Sequence, residues 1–200
     1  MAGAPYRIAA VILAAGRSTR ALPANKLLLR DAQGRTMLGR VVTAALGSLA
    51  AETVVVTGHM REKITEAAVC VPGAAGLRFT HAANYADGMS ASLIAGITAV
   101  PHADAALICL GDMPLITPAI IDTMIGHFDP VQRRSIVVPT CGGAWGNPVL
   151  WDRRYFPEIL HITGDAGARS LLSRFPEERH EVELDDVAVL RDFDTSAGFF

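Results

Sequence analysis

A series of strand-length, mostly apolar runs constrains this 200-residue chain more than any other feature. They fall at 8–15, 53–57, 77–80, 105–110, 135–139 and 148–151, and the apolar residues are contiguous rather than alternating. Helix-like segments at 37–50, 61–69, 90–100 and 118–128 lie between several of them. A strand that is apolar on both faces has to be covered on both. The pattern therefore predicts an α/β protein, a three-layer α/β/α Rossmann-like arrangement around a mostly parallel central sheet. Right-handed crossovers bring the carboxyl ends of such strands to one edge. That edge would collect the turn at 15–26, Gly58-His59 and Gly111-Asp112.

Local signals place several boundaries. Thr36 is expected to cap a helix starting near Met37, and Thr117 precedes a proline at a first helical position. Asp87-Gly88 marks a turn, with Ser90 as a cap for the helix after it. From Ser135 the pattern changes. Two extended segments flank the glycine-rich stretch 142–146, which reads as a flexible loop over the sheet edge. Helical stretches follow at 153–161 and up to about Phe175, then edge strands or loops at 181–184 and 187–194. With no internal repeat and no linker, one domain is expected.

The first run ends in a small-residue turn followed by Arg17, Ser18, Thr19, Arg20 and Lys26. Small side chains let backbone N–H groups approach an anion, and cations neutralise it, so this turn suits phosphate. It lacks the glycine-lysine-serine/threonine ending of a Walker loop. The chain also lacks the G-x-G-x-x-G of a dinucleotide site, which removes support for an oxidoreductase of that fold, and the G-x-S-x-G elbow of a hydrolase. The six histidines (59, 81, 102, 127, 161, 180) have no zinc spacing and read as structural or solvated, His59 being the first candidate for an exception because it follows a strand at the expected active edge. A net charge of −2 gives no basic excess for nucleic acid, and the apolar runs are too short to span a membrane. Residues 1–6 carry no leader pattern, and Cys70, Cys109 and Cys141 are scattered. Reduced thiols and a cytoplasmic location are the expectation. Only two lysines, Lys26 and Lys63, stand against sixteen arginines, so a lysine inside the opening motif is noticeable.

Six elements in order carry a resemblance. They are L-A-A-G-R-S-T-R at 13–20 followed by Lys26, then D-G-M-S-A-S-L at 87–93, and L-G-D-M-P at 110–114. G-N-P-V-L at 146–150, G-D-A-G-A-R at 164–169 and D-F-D-T at 192–195 complete the set. Together they cover almost the whole chain, which resembles the molybdenum-cofactor cytidylyltransferase family within the MobA-like NTP transferases. Two departures are plain. Residues 21–25 are one longer than the family's R-M-G-x-x-K spacing and lack its glycine, and 196–200 replace the family's D-T-P-[ED]-D continuation.

The resemblance implies residues 7–115 as a nucleotide-binding half and 116–200 as an acceptor-binding half. It implies Lys26 and Asp112 as catalytic groups, with Asp112 a Mg²⁺ ligand. By spacing alone Asp112 is equally a turn-capping aspartate. Leu13, Ala14, Ala15, Gly16, Arg17, Ser18, Arg20 and Lys26 would hold the triphosphate, and Gly88, Ser90 and Ser92 the base and ribose, with Asn84 a weaker candidate. Ser90 and Ser92, two positions apart, are not expected to face the core together. Asn147, Asp165 and Arg169 would serve the acceptor, although Arg169 is also readable as a helix-surface ion-pair partner. Asp194, beside Asp192, would be a second metal ligand. The implied reaction moves CMP from CTP to a phosphorylated acceptor, molybdopterin, and releases pyrophosphate. CTP is favoured because Leu13-Ala14-Ala15-Gly16 resembles the cytidylyl branch; the guanylyl branch more often has a second glycine there. GTP, a sugar- or alcohol-phosphate acceptor, and a non-catalytic protein that carries the cofactor to a molybdenum hydroxylase are the alternatives.

Overall fold

The computed structural model of the chain describes residues 6–17 and 25–193. The strands are β1 (Ile8–Ala14), β2 (Glu52–Thr57), β3 (Leu77–His81), β4 (Ala105–Leu110), β5 (Ile136–Cys141), β6 (Ala144–Trp145), β7 (Val149–Asp152) and β8 (Arg179–Glu183). They form one sheet in the order β3-β2-β1-β4-β7-β5-β6, with β8 added on β5. β1 pairs in parallel with β2 and β4, and β2 with β3. β7 runs antiparallel to both neighbours, β4 and β5, while β8 is parallel to β5. The second half of the chain thus extends the same sheet.

The helices are α1 (Met37–Leu46), α2 (Arg61–Val69), α3 (Met89–Thr98), α4 (Pro118–His127) and α5 (Phe156–Leu160). Strand residues alternate between the two faces, and each face has its own core. Ile12, Val55, Leu107 and Leu150 pack with Met37, Leu38 and Ile121 on one side. Val11, Val54, Ile108 and Trp151 pack with Leu93, Ile97 and Ile159 on the other. The continuous apolar runs follow from this two-sided burial.

Thr36 Oγ1 accepts the Gly39 N–H at 2.9 Å, and Thr117 Oγ1 accepts the Ile120 N–H at 3.3 Å with Pro118 opening α4. α1 ends at Leu46, short of the expected residue 50, because Gly47 takes the cap position. The stretch 153–161 divides into a 3-10 turn, Arg153–Tyr155, and the short α5, and Ala168–Arg174 is 3-10 rather than α. Ser90 is not the cap of α3: that position belongs to Gly88, and Ser90 lies inside the helix.

The stretch 142–146 is not a flexible loop. Gly142 (φ 58°) and Gly143 (φ 76°) make a two-residue hairpin turn, the left-handed pair that matches strand twist. Thr140 then faces Trp145 across the β5–β6 pair. Glu183 on β8 ties the turn down, accepting from Thr140 Oγ1 at 2.5 Å and from the Gly142 N–H at 2.7 Å. The Thr140 hydroxyl first, and then the Gly142 N–H, hold its carboxyl below the usual glutamate range. A depressed folded-state pKa gives stability above the unfolded value that is lost as pH falls through the folded one. Glu183→Gln is therefore expected to lower the melting temperature at pH 7 and to leave it unchanged in acid, below both values. Melts at the two pH values check this.

α3 lies close on the sheet because Gly96 has no side chain. A Cβ there would sit 2.5 Å from Val11 Cγ1 and 3.0 Å from Val56 Cγ2. Gly96→Val should cost about 1–3 kcal/mol of unfolding free energy, read from urea denaturation.

Candidate active site

The site grows from the pairing of β1 with β4. Gly111 N–H donates to the Leu13 carbonyl at 3.1 Å, and His59 N–H to the Ala15 carbonyl at 3.1 Å. The ends of β1, β2 and β4 thus meet at one edge, as expected from the crossovers. Ala14 and Ala15 are buried, whereas Gly16 and Arg17 are exposed. Ser18 and Arg20 lie outside the described residues, as does Asp194.

The chain resumes at Asn25, whose Oδ1 accepts the Leu27 N–H at 3.0 Å and caps a single 3-10 turn, Lys26–Leu28. That turn aims Lys26 at the start of the loop after β4. Lys26 Nζ lies 2.7 Å from Asp112 Oδ2, with the side chains only 15% and 20% exposed. Partial burial of both groups weakens solvent screening of the pair. The C-terminal segment returns here too, since the Phe193 N–H donates to the Asp112 carbonyl at 3.0 Å.

On the other side of this edge stands the amino end of α3. Gly88 has φ 118°, and a Cβ there would lie 2.5 Å from the Gly164 carbonyl and 2.7 Å from Asp165 Oδ1. The Ser90 N–H donates to the Gly164 carbonyl at 3.1 Å. The segments D-G-M-S and G-D-A-G, far apart in sequence, are therefore in contact. Ser90 and Ser92 are both buried, although two positions apart they do not share one face of α3. Ser92 packs on the same stretch of helix as Leu93, while the 164–167 loop covers Ser90. Asn84 is exposed, one residue before the turn Tyr85–Asp87, and the His59 ring lies 6.1 Å from that of Tyr85.

Between these parts opens a cleft of about 370 Å³. Among the expected site residues, Leu13, Asn147, Asp165 and Arg169 line it. The Asn147 N–H donates to the Val189 carbonyl at 2.9 Å, anchoring that loop. Arg169 donates to the Trp145 carbonyl at 2.6 Å, so it joins the hairpin rather than an acidic partner on its own helix. Trp145, Trp151, Met89 and Asp192 also line the cleft. The two tryptophans were not legible as site residues. Trp145 sat in a stretch read as loop, and Trp151 in one read as strand core.

Among the described residues no group of three or more His, Cys, Asp or Glu side chains is placed to hold a metal. One partly buried carboxylate at an open edge still fits Mg²⁺, which keeps waters and binds through one or two carboxylates plus substrate phosphates. Gly88→Ala would force a side chain into left-handed backbone against Gly164. It should cost about 1–3 kcal/mol and loosen the 164–167 loop, checked by urea unfolding and limited proteolysis.

The model of one protein family, the MobA-like NTP transferase domain, matches residues 10–183. A nucleotidyl transferase from Methanothermobacter thermautotroptrophicus superposes with a TM-score of 0.80 at 25% identity, over 94% of this chain and 92% of that one. Rv0371c from Mycobacterium tuberculosis H37Rv superposes with a TM-score of 0.77 at 27% identity, over 95% of this chain and 94% of that one. The same protein in complex with manganese gives 0.68 at 23%, over 92% and 90%. The bifunctional protein GlmU of Sorangium cellulosum is 36% identical over 144 residues, 70% of this chain. This chain spans only 30% of that curated relative.

Proposed function

We propose that this chain, which belongs to the MobA-like NTP transferase domain family, transfers CMP from CTP to a phosphorylated acceptor, a molybdopterin-type pterin phosphate. The Lys26–Asp112 pair, at the edge where the turn after β1 meets the loop after β4, carries the reading. A cation and a carboxylate held together at the end of a phosphate-suited turn are what a triphosphate with its counter-ion requires. In this reading residues 7–115 hold the nucleotide and 116–200 the acceptor.

An acceptor phosphate oxygen attacks the α-phosphorus of CTP. A new P–O bond forms, the α–β bridging P–O bond breaks, and pyrophosphate leaves. A phosphate monoester is already largely ionised at neutral pH, so no general base is needed. The chain brings two anions together and orients them. Arg17 and Arg20, with the small turn at 13–16, clamp the β and γ phosphates, and Ser18 joins them. Lys26 meets the charge that develops on the transferred phosphoryl group. Gly88, Ser90 and Ser92 border the base and ribose. Asn147, Asp165 and Arg169 face the acceptor, with Arg169 offering a planar fork to its phosphate. Asp112, with Asp194 as a second ligand, would hold Mg²⁺, which would supply positive charge for the triphosphate and for pyrophosphate as the leaving group.

A thermal-shift screen of CTP, GTP, ATP and UTP with Mg²⁺ tests the nucleotide, since a specific ligand stabilises the native state by mass action. CTP is expected to give the largest shift; a larger shift with GTP would make the guanylyl alternative the better one. Asp112→Asn removes the metal-holding charge at an exposed edge. It should reduce pyrophosphate release by at least about a hundredfold while the circular dichroism spectrum is retained. Full activity in that variant would sink the metal assignment.

A further inference from the structure

The carboxyl end of α4 meets the amino half of β8 through two half-buried histidines. His127 Nδ1 and His180 Nε2 lie 3.0 Å apart, and the ring centroids 5.1 Å apart with planes at 27°. That centroid separation is close to the largest a nitrogen contact of this length allows between five-membered rings, so the two meet edge to edge. The proton count of such a contact is restricted. One nitrogen must donate and the other must offer its lone pair. The pair keeps its bond when neutral and when it carries one added proton. A second added proton puts an N–H on both facing nitrogens, and two imidazolium rings then oppose each other across a partly desolvated gap.

The surroundings do not relieve that charge. Arg134, just before β5, bears on His180 as a further cation and pairs with Asp129 at 3.2 Å. Arg133 is turned to Glu178 at 3.1 Å, and Asp122 on α4 accepts the Leu49 N–H at 2.7 Å. Val137 on β5, opposite His180, is apolar. Burial first, and then the His127 ring and the Arg134 guanidinium, hold His180 below the usual histidine value. The unfolded chain therefore binds more protons in acid. The stability the contact gives is full above the usual value and is lost as pH falls through the lower folded one.

β8 has a different task on each face. His180 and Val182 face α4, and Val182 is buried in the core with Met124 and Phe128. Side chains alternate along a strand, so Arg179, Glu181 and Glu183 face the other way. There the Arg179 guanidinium lies over the Trp145 ring, 4.4 Å from its centroid. Glu181 Oε1 accepts from Trp145 Nε1–H at 3.0 Å and from Arg179 Nε at 2.9 Å. Trp145 in turn lines the cleft. His180 thus sits between the two members of the clamp. Among the described residues β8 pairs with β5 alone, and its amino half, Arg179 to Glu181, buries no apolar side chain. The tie of that half to α4 is the histidine pair.

We propose that the His127–His180 bond is an acid-released latch: while it is made, β8 holds Trp145 against the cleft, and uptake of a second proton by the pair frees the amino half of β8 and slackens the Arg179–Glu181 clamp. The latch goes beyond the transferase reading and does not depend on it.

The whole protein is used, with EDTA present so that no metal ion bridges the pair. Amide protection factors, which correct for the chemical exchange rate, are compared at about pH 7.5 and about pH 5, on either side of the histidine range. The best-protected amide of 179–181 should lose about tenfold in acid, and His127→Gln combined with His180→Gln should abolish that loss. Trp151 is fully buried, so acrylamide quenching of tryptophan emission reports mainly on Trp145. Quenching should rise in acid in the wild type and stay level in the double variant. An equal acid loss of protection in the double variant overturns the latch. Protection lost while quenching is unchanged overturns its hold on Trp145. If the double variant fails to fold, proton NMR of the wild type decides. The pair should then take up its protons in two separate steps, one of them below the usual histidine range. Two independent histidines titrating in the ordinary range overturn the latch.

Discussion

The pairing of β1 with β4 is the constraint on which the rest of the molecule depends. It is a parallel pairing with strict register, Ile8 opposite Ala105 through Leu13 opposite Leu110. That register puts the turn after Leu13 beside Gly111 and Asp112. A slip of one residue would turn every side chain of β1 to the other face and move Ile12 and Val11 between the two cores. The cores therefore specify the edge chemistry indirectly. Lys26 reaches Asp112 because the sheet has already fixed where both strands end.

The second half of the chain completes this edge. β7 inserts antiparallel between β4 and β5, so the loop that precedes it arrives at the same edge as the loop that leaves β4. The 164–167 segment then closes on α3 through Gly88, where absence of a side chain allows backbone to meet backbone. The cleft beside this edge draws on both halves, with walls from α3 on one side and from the 145–151 and 165–169 segments on the other.

Much of this was legible in the sequence, and for identifiable reasons. Runs such as 105–110 are buried on both faces, and that burial writes a continuous apolar signature. Thr36 and Thr117 cap helices through contacts spanning three residues, which a local reading can find. The failures are of another kind. Ser90 is not the cap of α3, because its N–H is taken by the Gly164 carbonyl more than seventy residues downstream, and no pattern within α3 records that. Gly142-Gly143 looked like slack chain, yet two left-handed glycines in succession make a tight hairpin that Glu183 locks. Trp145 lines the cleft, held by Arg179 and Glu181 on β8, contacts too distant along the chain for a local pattern to record.

The order of the sheet also sets how the protein comes into being. Its central pairing joins segments from the start and the middle of the described chain, and β8 must find β5 before the hairpin turn is locked. Contacts so distant along the chain carry a large closure entropy and form slowly. The Phe193 N–H bond to the Asp112 carbonyl is another such distant contact. Helices and the hairpin can assemble early from neighbouring residues, but the edge that would handle phosphate is a late product of the fold. During refolding, recovery of the cleft should lag behind recovery of helical signal.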